Sequence, residues 1–159
     1  MKSFLKAILN MFSKYDSDND IQNFPLQQYI GRIDINKVVE LGDCHVHYSP
    51  DYLFQTPDEV LNILKDKSLL WMDRQNSLLG FTDQKRTLLV PLNKISRIEI
   101  QNVLKGRGPA EACLWVYLYE KSFVMLSISP EIYYFDQYVE EINKTTGFIV
   151  TFSPEFYNA

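Results

Sequence analysis

The sequence predicts an α+β fold: an antiparallel β-barrel or sandwich capped by a C-terminal amphipathic helix, with an extra helical segment at the N-terminus. Three observations predict it. From Ser68 onward, short apolar runs follow one another with polar turns between them. A stripe of apolar residues at helical spacing follows the last of these runs. Aromatics make up 14% of the chain, with 10 Tyr and 10 Phe, a bias that suits strands. At 159 residues, 46% of them hydrophobic and 23% charged, the chain is most simply one soluble domain.

The first element is MKSFLKAILNMFSKY, where Leu5, Ile8, Leu9 and Phe12 recur at helical spacing and Lys2, Lys6 and Lys14 lie elsewhere. Lys6 interrupts the apolar run and no small-residue cleavage site follows, so a secretory signal is not expected. Two readings of this helix stand: an interfacial helix for a membrane or partner groove, or a helix packed on its own domain. YDSDNDIQN then reads as a linker. Asp16, Asp18 and Asp20 begin like a calcium loop, but its sixth and twelfth positions are Ile21 and Gln27 rather than Gly and Glu. Residues 1–40 thus form an N-terminal helix and linker packed on the main domain, which spans 41–159. Residues 24–40 give no regular assignment.

In TPDEVLNILKDK, Thr56 and Glu59 make a capping box and Pro57 fits the first helical position, which predicts a helix over 57–66. SLLWMD, SLLGFT and TLLVPL are strands. NKISRIEIQN is another, with an irregular step between Ile95 and Ile98. LKGRGPAEA is a loop, and ACLWVYLYE and SFVMLSIS form a hairpin turning at Glu120-Lys121. Trp71, Phe81, Trp115 and Phe123 are the expected interior aromatics. A helix over 130–145 buries Phe135, Tyr138, Val139 and Ile142, exposes Glu140, Glu141 and Lys144, and stops at Gly147. GFIVTF reads as a further strand, pairing within the chain or with a neighbour, and SPEFYNA as a tail.

SLLWMDRQNSLLGF followed by RTLLVPLNKISRIEI resembles the bacterial pleckstrin-homology-like (PH-like) pattern and its GRAM relative, with Pro91, Leu92, Ile95 and Ile98 on the Pro-Leu-x-x-Ile phrase. The resemblance covers residues 68–146, about half the chain. It implies that ACLWVYLYEKSFVMLSIS is the next hairpin and that PEIYYFDQYVEEINKT is a helix plugging one end of a barrel. The chain departs from the family in its first 65 residues and in the apolar strand Phe148–Phe152 after the helix.

Catalytic signatures are weak. His45 and His47 in GDCHVHYSPD share a strand face with Cys44 opposite, but two histidines supply half of a tetrahedral site and no HExxH or CxxC follows. A half-exposed polar strand is the simpler reading. There is no G-x-S-x-G elbow, and Cys113 lies in an apolar strand that favours an inert thiol. Cys44 and Cys113 give no disulfide framework, which points to a reducing cytoplasm. A net charge of −4 argues against nucleic acid and favours a basic protein partner. Lys85, Arg86 and Arg107 are the cations that an anionic-lipid reading would use, although they do not follow the spacing of PH-domain phosphate sites.

The expectation is therefore a non-catalytic, cofactor-free PH-like domain that binds a protein, with an immunity or inhibitor protein as one concrete form. Lys105, Arg107, Tyr133 and Tyr134 are the candidate contact residues, because Tyr and Arg make interface anchors. The alternatives are a peripheral lipid-binding module and a metal-dependent enzyme using His45 and His47.

Overall fold

The computed structural model describes residues 26–159. The N-terminal amphipathic stretch and the acidic linker lie outside the described residues. Residues 26–40 do not form a separate unit: β1 (Lys37–Glu40) pairs antiparallel with β4 (Leu69–Asp73), placing Val38 opposite Trp71.

Two sheets make up the described chain. In the first, β4, β5 (Leu78–Thr82) and β6 (Thr87–Pro91) form a meander, with β1 on one edge and β3 (Leu53–Phe54) on the other. In the second, β7 (Ile95–Leu104), β8 (Glu111–Leu118) and β9 (Phe123–Ser129) form another meander, with β2 (His45–Val46) beside β9. The irregular step in β7 appears as a register shift between Ile95 and Arg97. β6 and β7 join across Pro91 and a single 3-10 turn at Leu92–Lys94.

The main core lies between the sheets. Leu70, Met72, Phe81, Leu88 and Val90 project from one, and Ile98, Ile100, Leu114, Val116, Val124 and Leu126 from the other. Alternation along the strands sends the intervening residues to the opposite faces. Three of the four expected interior aromatics therefore change place. Trp71 packs on the outward side of the first sheet with Leu69, Leu78 and Leu89, under Ile33 and Val60. Trp115 packs on the outward side of the second with Cys113 and Met125, and partly buried Phe123 joins it there. Of the four, Phe81 lies between the sheets. The sheets form a sandwich rather than a closed barrel.

Both helices are shorter than the sequence predicts. The first, α1, spans Asp58–Leu61. Glu59 does not cap it: its Oε1 accepts the Ile33 N–H at 3.2 Å, while the Thr56 hydroxyl meets Thr87 at 3.1 Å. The second, α2, spans Val139–Thr146 after a 3-10 turn at Asp136–Tyr138. It starts late because Tyr133 adopts a left-handed conformation, φ 64°, which a helix cannot include. Phe135 and Ile142 are buried, and Gly147 ends the helix at φ 76°. No described helix is long and apolar enough to cross a membrane.

Candidate functional site

The end of the expected strand 148–152 and the tail after it build one edge of the second sheet. β10 (Thr151–Phe152) and β11 (Phe156–Tyr157) both run parallel to β7, pairing Phe152 with Ile100 and Tyr157 with Leu104. Between them, the Ser153 N–H donates to the Ile100 carbonyl at 2.9 Å, and its hydroxyl donates to the Glu99 carboxylate. Of the expected strand Phe148–Phe152, only Thr151–Phe152 forms, and it pairs within the chain.

Asn158 then clips the glycine-rich loop that carries Lys105 and Arg107. Its N–H donates to the Leu104 carbonyl at 2.8 Å, its amide to the Pro109 carbonyl at 2.9 Å, and its own carbonyl accepts from Gly108 at 3.4 Å. This approach explains the glycine at 106, where a Cβ would collide with the Asn158 carbonyl oxygen.

Tyr133 reaches the same edge from the other side. Its N–H donates to Asn102 Oδ1 at 3.0 Å, and the Asn102 amide donates to Asp136 at 3.1 Å, so the end of β7 fixes the turn before α2. Partial burial, together with the hydrogen bond and charge of Glu155, raises the Tyr133 phenol above its ordinary pKa. The phenol stays neutral at physiological pH and keeps a polar tip on an apolar body.

The edge exposes large apolar side chains in sequence: Ile149 at 79%, Phe152 at 51%, Tyr157 at 71% and Tyr133 at 44%. Lys105 and Arg107, both exposed, flank them in the loop. Aromatic anchors beside an Arg form the composition of an interface centre.

The other sequence candidates fall elsewhere. Tyr134 is structural. Its hydroxyl donates to the Leu41 carbonyl at 2.7 Å and accepts the Asp43 N–H at 3.1 Å, and burial comes first among the causes that raise its pKa. It pins the chain between β1 and β2 and is not an open contact residue. Arg86 is buried at 8% exposure, so its guanidinium does not stand in solvent as a headgroup ligand would. Lys85 is exposed in the same turn, which hangs on Asp83: that carboxylate accepts the N–H groups of Val46, Lys85 and Arg86 at 2.7–3.0 Å. The turn also brings His45 to 3.9 Å from Asp83. His47 is partly buried, and its N–H bonds the Leu126 carbonyl at 2.9 Å. Among the described residues, no three His, Cys, Asp or Glu side chains gather as a metal site. Both cysteines are buried, which pushes the Cys44 thiol up to about 11 and the Cys113 thiol higher still.

A second surface feature, an open groove of about 460 Å³ between β1 and α1, is lined by Ile35, Asn36, Lys37, Val38, Glu59 and Ile63. It brings together fewer aromatic and charged groups than the tail edge does.

A family model described as PM0294 C-terminal domain matches residues 26–157. No curated protein matches the sequence.

Proposed function

The chain belongs to the PM0294 C-terminal domain family, and on that premise we propose that it is a non-catalytic, PH-like interaction domain that binds a protein partner. The observation that carries the reading is the tail edge, where Tyr133, Phe152 and Tyr157 stand exposed beside Lys105 and Arg107. Exposed aromatics on an ordered sheet edge lose little conformational freedom on binding and bury large area. Three antiparallel strands in each meander, followed by a helix, support the PH-like plan. The net charge of −4 suits a basic partner, and an immunity or inhibitor protein is the concrete form we favour. A cytoplasmic setting accords with two unpaired, buried cysteines.

The test is a tagged pull-down from the native host, with soluble and membrane fractions read separately by mass spectrometry. One dominant stoichiometric protein supports the proposal. Recovery in the membrane fraction alone, with salt-sensitive binding to anionic vesicles, would replace it with the lipid reading. That reading has lost Arg86 to the interior, and its remaining cations, Lys85 and Arg107, lie in turns of different sheets.

A further inference from the structure

The two exposed aromatics of the tail also mark where its backbone faces outward. Phe152 pairs with Ile100 and Tyr157 with Leu104, so five steps along the tail match four along β7, and residues 153–155 absorb the difference. The bonds to β7 come from the residue after each aromatic. The Ser153 N–H donates to the Ile100 carbonyl at 2.9 Å and the Asn158 N–H to the Leu104 carbonyl at 2.8 Å. Successive peptide groups of a strand face opposite sides, so those of Phe152 and Tyr157 point away from β7. Among the described residues, neither β10 nor β11 pairs with any strand besides β7. Both positions are open to solvent, with Phe152 at 51% and Tyr157 at 71% exposure.

Ile100 and Leu104 lie about 13 Å apart at the usual strand rise. That is the span between the first and fifth residues of an extended chain, whose peptide groups face the same way. We propose that the partner lays such a segment along the tail edge, bonding the peptide groups of Phe152 and Tyr157 and turning acidic side chains toward Lys105 and Arg107. The inference rests on the reading of that edge as the binding surface. Directly paired residues share a sheet face, so the two pairing side chains of the segment stand beside Phe152 and Tyr157 and should be apolar. Beyond Tyr157 the segment meets the loop that Asn158 clips. Lys105 and Arg107 are exposed there and, among the described residues, make no ion pair. Carboxylates therefore suit that end of the segment. The net charge of −4 acts on the approach of the partner as a whole, whereas these two cations act at contact.

Amide hydrogen exchange in the full chain, alone and with the protein captured by the pull-down, tests it. The Phe152 and Tyr157 N–H groups are expected to exchange fast in the free chain and at least about tenfold more slowly in the complex. Exchange at Val116, inside the β7–β8–β9 ladder, should not change. Slow exchange at both tail positions in the free chain would overturn the proposal, because the edge would already be occupied. The partner could instead leave both amides fast yet lose affinity for Phe152→Lys/Tyr157→Ala. Strand addition then fails, while the binding surface stands on its side chains alone. If that variant binds as tightly as the wild type, the surface itself fails and the inference goes with it. Lys105→Glu/Arg107→Glu tests the charge. At least about tenfold weaker binding at an unchanged melting temperature is expected, and equal affinity would contradict the acidic segment.

Discussion

Gly80 stands opposite Trp71 in the β4–β5 ladder, and a Cβ at that position would run into the indole ring. The ring lies flat over the backbone there, and its Nε1–H donates to the Thr82 hydroxyl at 3.0 Å, which in turn meets Thr87 at 2.8 Å. Gly80→Ala must displace a fully buried ring from its hydrogen bond, so it should lose about 1–3 kcal/mol, seen as a lower urea midpoint with unchanged slope. Asp73 is the second such residue. Burial raises its carboxyl pKa, but hydrogen bonds from the Asn76 side chain and from the N–H groups of Asp34, Asn76 and Gln75 outweigh that and leave it below 3.8. A lowered folded pKa gives stability that is fully present above the ordinary carboxylate value and lost as pH falls through the folded one. Asp73→Asn should therefore be less stable at neutral pH and show a flatter loss of stability below about pH 4, measured by denaturation across pH. At this scale the sequence was partly legible. It marked Trp71 and Trp115 as buried, but not on which side of their sheets, because runs such as LLWM are apolar on both faces and carry no alternation.

Elements repeat the pattern. The six long strands and the final helix are legible because each carries a run or stripe long enough to show its period. The capping box before α1 misleads because Glu59 has a tertiary competitor, the Ile33 N–H, which local sequence cannot reveal. GFIVTF announces β10, though over a longer span than Thr151–Phe152, whereas β11 is invisible because a strand of two residues has no period; the parallel pairing of both to β7 is set by distant partners. Their consequence is the clipped loop. Asn158→Ala removes the side-chain bond to Pro109 and loosens the last turn of the tail. Amide exchange at Gly106 and Gly108 should then quicken by about tenfold while the β8–β9 ladder keeps its protection. Equal protection in the variant would mean that the loop holds its shape unaided.

For the whole molecule, two meanders stack into a sandwich, one outer face is covered by the chain between Tyr29 and Leu64, and the tail finishes the second sheet. The candidate site was half legible. Lys105, Arg107 and Tyr133 could be named from residue type, but Phe152, Tyr157 and Ile149 join them only once the tail pairs with β7, and Tyr134 leaves them for Leu41. The account rests on that edge being a binding surface. Its most direct test is the affinity of the captured partner for the wild-type chain and for Phe152→Lys/Tyr157→Ala, whose exposed positions should leave folding intact. The account predicts that dissociation constants rise at least about thirtyfold, the effect of losing about 2 kcal/mol of aromatic anchoring, with an unchanged melting temperature. Equal affinity for the two chains would contradict it.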